Sequence, residues 1–180
     1  MPDLPGVISA PPVIGTANGR SMGLGANLAA GNAVVSASSV WPAANRALYM
    51  PFEIHDVCTA YQIAFVVGVQ SGNLDVGIYD EVKNRLVSAG STAVGAAGVQ
   101  VVNITDTVLT PGCYFLAMCV DNITAAFQAV TGGITALALQ TFGVQQQAVG
   151  AVTLPDPATF ANPASAYLPP MYVSTMLSTI

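Results

Sequence analysis

The chain has 180 residues, of which 53% are hydrophobic and only 7% charged, with four basic and nine acidic side chains and a formal net charge of −5. Global disorder is excluded, because it needs low hydrophobicity and high net charge, and the length suits one domain with extensions. Soluble surfaces are usually about a quarter to a third charged, so much of this surface must be covered by partners or made polar by Ser, Thr, Asn and Gln.

Residues 1–40 are dominated by Gly, Ala, Ser, Asn and Pro. Pro2, Pro5, Pro11 and Pro12 forbid a helix, and frequent glycines break any strand pattern. This stretch predicts an extended arm that orders only when something holds it.

Residues 41–142 read as the core, in short apolar runs of period 2. In Val57–Val69 the odd positions, among them Thr59, Tyr61, Ile63, Phe65 and Val67, are bulky. The even positions, among them Cys58, Ala60, Ala64 and Gly68, are mostly small. The alternation predicts a strand packed on the core by its bulky face, with the small face free for close packing by a partner. After a turn at 70–73, Leu74, Val76 and Ile78 should point inward, with Asp75, Gly77 and Tyr79 outward.

Residues 80–84 form a charged hairpin tip, and 85–89 return. Gly98–Ile104 is a strand of open phase. Thr110-Pro111-Gly112 is a turn leading into a two-faced strand, with Tyr114, Leu116, Met118 and Val120 set against Cys113, Phe115, Ala117 and Cys119. Asp121-Asn122 turns into a strand over 123–130, and 134–142 suits a short strand or a helical turn. Residues 143–180 carry Pro155, Pro157, Pro163, Pro169 and Pro170 and read as an irregular extension, with a closing strand at 171–176.

No segment keeps a 3.6-residue period over helical length. Short strands at roughly 8–12-residue spacing predict an all-β antiparallel sandwich of jelly-roll type.

Chemistry-bearing constellations are sparse. Arg20, Arg46, Lys83 and Arg85 form no basic block, which speaks against nucleic acid and against an anionic membrane surface. The densest apolar run, 63–69, is far shorter than the roughly 20 residues of a membrane span. The first twelve residues lack the basic and apolar regions of a secretory signal. Three cysteines without a short-spaced pair fit reduced thiols made in a cytosol. The sequons at Asn103 and Asn122 then read as strand-to-turn positions.

His55, the one histidine, shares a strand face with Glu53, but no further ligands stand at metal spacing. No nucleophile elbow accompanies it. Asp75, Asp80, Glu81, Asp106 and Asp121 lie in or beside turns, where Asp commonly serves its own backbone. The expectation is no catalytic residue, no metal and no cofactor. Sugar binding stays open through an aromatic platform, with Trp41, Tyr79 and Tyr167 as glycan or interface aromatics.

The block Ser71-Gly-Asn-Leu-Asp-Val-Gly-Ile-Tyr-Asp80, Asn84-Arg-Leu-Val-Ser88, Gly90-Ser-Thr92, Leu109-Thr-Pro-Gly-Cys-Tyr-Phe-Leu-Ala117 and Asp121 resembles small β-sandwich virion surface proteins of tailed bacteriophages. The resemblance spans about residues 45–130 and implies a non-enzymatic virion protein, with no functional residue to carry over. The expected role is capsid decoration or cement, in a homo-oligomer or lattice with other virion proteins, synthesised in the host cytoplasm. The alternative is a tail fibre, appendage or host-attachment protein contacting a surface glycan.

Overall fold

Strand-forming alternation over much of the chain is realised in a computed structural model, which describes residues 14–16, 19–22, 35–130, 136–141 and 143–177. The strands are β1 (Ile14–Thr16), β2 (Gly19–Met22), β3 (Val35–Val40), β4 (Arg46–Ile54), β5 (Cys58–Val69), β6 (Asn73–Asp80) and β7 (Arg85–Ser88). They continue as β8 (Thr92–Ala93), β9 (Gly98–Leu109), β10 (Gly112–Val120), β11 (Ala126–Val130), β12 (Gln145–Ala148) and β13 (Met171–Leu177), with one short helix at Ala136–Thr141.

Among the described residues the strands form two sheets. The first, sheet A, has seven strands in the order β1-β2-β13-β5-β11-β3, with β9 along the other edge of β5. The second, sheet B, has six in the order β12-β4-β10-β6-β7, with β8 also on β6. Every pairing among them is antiparallel.

From β8 onward, successive strands alternate between the sheets, so side chains from both meet in one core. Ile63, Phe65 and Val67 of sheet A share it with Val76, Leu116 and Met118 of sheet B. The fold is all-β, antiparallel and two-sheeted, in a sandwich-like arrangement.

Three local expectations need correction. Strict alternation along β5 put Thr59 and Tyr61 inward. Instead Cys58 and Ala60 are buried, and the inward phase resumes at Ile63, Phe65 and Val67. A β-bulge lies between: Ala60 pairs Thr107 and Gln62 pairs Asn103, so three residues of β9 stand against Tyr61 alone. Extra residues in one strand re-aim the side chains that follow.

Asp75, Gly77 and Tyr79 were expected to point out from sheet B, and Asp75 and Tyr79 are buried on that outward face. It is covered by this chain, because residues 149–161 lie across it and Leu154, Ala158 and Phe160 pack on Tyr49, Tyr79 and Ala117. The strand expected over 123–130 begins only at Ala126. The Asn122 side chain accepts the N–H groups of Thr124 and Ala125, both at 2.8 Å, and holds a turn there.

Strands also fall outside the 41–142 core: β3 before it, and β12 and β13 after it. β13, expected to close the fold, lies inside sheet A between β2 and β5. Of the 1–40 arm, β2 pairs onto that strand in the same chain and β1 pairs onto β2. Most of the arm, along with Ile134 and Phe142 of the 134–142 segment, lies outside the described residues.

Candidate interaction surface: one sheet covered, one bare

The covering of sheet B starts from a single carboxylate. Asp75 stands mid-strand in β6, facing away from the main core and fully buried. It accepts Ser88 Oγ–H at 2.8–2.9 Å and the backbone N–H of Leu154 at 2.9 Å. A buried carboxylate has to be supplied with donors, and here one donor is the backbone of the covering segment. Arg85 donates to the Leu154 carbonyl and Tyr79 Oη to the Pro155 carbonyl. Asp156 accepts the Arg85 N–H at 3.1 Å, and Lys83 lies 5.1 Å over the Phe160 ring. Residues 149–161 therefore act as a strap, fastened by hydrogen bonds over an aromatic bed. Burial raises the pKa of Tyr49 and Tyr79 beneath it. Burial, and then the nearby Asp75 charge, push the Cys119 thiol up to about 12.

Trp41, Tyr79 and Tyr167, the candidate glycan or interface aromatics, are all buried. Trp41 is 1% exposed, sits edge-on to Phe127 and Tyr167 at centroid distances of 5.7 and 5.4 Å, and donates Nε1–H to the Arg46 carbonyl at 3.0 Å. Tyr167 donates to the Ser39 carbonyl at 2.9 Å, and burial raises its pKa. Tyr79 lies under the strap, edge-on to Tyr49 at 5.2 Å. Stacking on a sugar needs an open ring face, and none of the three offers one.

His55 Nδ1 stands 3.9 Å from Glu53 Oε1 with both side chains at least half exposed, a solvated strand rim. Among the described residues no three His, Cys, Asp or Glu side chains gather as metal ligands. Asp80 and Asp121 serve turns, accepting the N–H groups of Asn84 and Asn73. Burial works against ionisation of Asp121, but hydrogen bonds from Asn122 and Asn73 outweigh it and hold the carboxyl below its ordinary value. Cys58 and Cys119 are buried, and Cys113 is exposed.

Sheet A differs from sheet B on its outward side. Cross-strand partners share a face, so the registers define rows running across β9, β5 and β13. Val101, Ala64 and Tyr172 form one row; Asn103, Gln62 and Ser174 form a second, in which Gln62 donates to Asn103 at 2.9 Å. Val108, Thr59 and Met176 form a third. Val99, Val101 and Val108 are 73%, 51% and 64% exposed, and Met176 is 46% exposed. β3, β5, β11 and β13 contain no charged residue, and β9 contains only Asp106.

The expected small-residue face is thus divided. Cys58 and Ala60 are core, Ala64 belongs to the bare surface, and a Cβ on Gly68 would run into the Ser38 side chain of β3. Sequence reasoning missed the exposed residues of β9 and β13, since the phase of one and the placement of the other depend on pairing partners.

Compared with family models, characterised proteins and solved structures, the chain matches none. Fold and surface define a class of their own accord: a β-sandwich-like protein with one sheet covered by its own chain and the other, among the described side chains, exposing several apolar groups and one outward charge, Asp106.

Proposed function

We propose that this protein is a non-enzymatic structural subunit of a tailed-phage virion, most simply a capsid decoration or cement protein, wound as a jelly roll. The single observation that carries the reading is the outward side of sheet A, an apolar and nearly charge-free surface on a chain that covers its other sheet itself. Several large apolar side chains exposed on one sheet face, here Val99, Val101, Val108 and Met176, favour an interaction site. The resemblance over residues 45–130 supports the virion setting, and the alternation of strands between sheets supports the winding. Asp75, Asp80, Asp121 and Asp156 accept hydrogen bonds in turns and in the strap, which favours assembly over catalysis.

The test is mass spectrometry of purified particles from the phage that encodes the chain, with immunogold electron microscopy to place it. Label on heads is the expected result. Label on tails would replace decoration with the fibre or appendage role, and absence from particles would remove the virion reading.

A further inference from the structure

We infer that the bare side of sheet A is covered by a second copy of this chain, the two faces stacked about a twofold axis parallel to β5. The inference rests on the assembly reading above and names its first partner.

Charge selects the occupant. The chain carries a formal net charge of −5, so two copies repel each other through most contacts they could make. Among described side chains, the charged ones sit on sheet B, its turns and the strap, apart from Asp56 in the β4–β5 turn and Asp106 at the β9 bulge. The sheet A face is where one copy meets another without setting acids against acids. Among the described side chains it carries one charge, Asp106, which gives no pattern for an acidic or basic partner. A twofold contact uses the same patch on both subunits, and here each row meets its own copy: Val101 and Ala64 apolar on apolar, Gln62, Asn103 and Ser174 polar on polar. With the axis along β5, β9 of one copy lies over β13 of the other, which places the two Asp106 side chains at opposite borders of the contact.

Shape and area agree. Ala64, with its small side chain at the centre of the Val101–Ala64–Tyr172 row, lets the second sheet approach to the roughly 10 Å spacing of packed sheets. β5 and β9 each run for 12 residues. With the 7 residues of β13 beside them, at about 3.3 Å per residue and about 4.8 Å between strands, the three present roughly 490 Å² in plane. Side-chain relief and the flanking strands raise this toward the ~800 Å² per partner of a standard interface.

The experiment is sedimentation equilibrium of the full chain across the micromolar range, for wild type, Val101→Lys, Met176→Lys and the control Val82→Lys at the exposed sheet-B hairpin tip. Circular dichroism and Tm verify that each variant is folded. The three wild-type side chains are 51%, 46% and 66% exposed, so each lysine fits the folded monomer. The expected result is a wild-type dimer weakened at least tenfold by either face lysine and unchanged by Val82→Lys. A monomeric wild type would overturn the inference. So would a dimer lost to Val101→Lys yet untouched by Met176→Lys, because β9 would then be pairing edge to edge. A wild-type monomer that is nevertheless present in particles defeats this inference alone, whereas a face-dependent dimer absent from particles defeats the virion reading alone.

Discussion

Asp75 and Cys119 show how single side chains fasten the strap. Replacing Asp75 with Ala strands the Leu154 N–H and the Ser88 hydroxyl without their shared acceptor. Each buried unsatisfied group costs about 1–3 kcal/mol, so a loss of about 3 kcal/mol is expected in urea unfolding, with Asp75→Asn losing less because one acceptor oxygen remains. A loss below about 0.5 kcal/mol, the range of an ordinary surface change, would show that the strap does not depend on this carboxylate. Cys119 reports on the same region through pH. Its folded-state pKa is raised from 9.0 to about 12. Its contribution to stability is therefore complete below pH 9 and disappears as pH climbs from there toward the folded value. Tm measured against pH should begin to fall near 9, and Cys119→Ala should remove that first part of the alkaline decline. Cys113 should react with a disulfide reagent in the native protein, with Cys58 and Cys119 reacting only after denaturation.

Elements differ in how far local pattern determines them. Strands β6 and β10 of sheet B were legible because Leu74, Val76 and Ile78, or Leu116, Met118 and Val120, alternate without interruption. The bulge in β5 was not, since no Gly or Pro marks Ala60-Tyr61-Gln62. It comes from the surplus of residues in β9, a strand some forty positions on. The two-faced character of β10 signalled that something must cover its second side, but periodicity does not say what. Spacing of apolar residues in the strap follows the bed beneath it, so no period of its own was available to read. The bare surface was half legible: Ala64 and Val66 announced themselves, while Tyr172 and Met176 joined only because β13 pairs with β5.

Gly77 links strand and strap. A Cβ there would collide with the Val87 carbonyl of β7 and reach 3.1 Å from Leu154 Cδ1. Gly77→Ala should cost about 1–3 kcal/mol through overpacking, seen as a lower urea midpoint. It should also speed proteolysis within 149–161, an effect that distortion of β7 alone would not produce.

At the scale of the whole molecule, the shortage of charge is unevenly distributed, and the distribution predicts how assembly responds to salt. Among the described side chains of sheet A, Asp106 is the one charged group available to whatever covers it. Screening by salt therefore has no attraction to weaken at that contact. What it does weaken is the longer-range repulsion between chains of net charge −5, because the Debye length shrinks from about 10 Å at 0.1 M to about 3 Å at 1 M. Self-association should stay level or strengthen as sodium chloride rises across that range. It should strengthen further in sulfate, which favours burial of apolar surface. Sedimentation equilibrium in a salt series measures this directly. A dimer that loosens several-fold with sodium chloride would be held by charged groups, which among the described side chains lie mostly on sheet B, its turns and the strap.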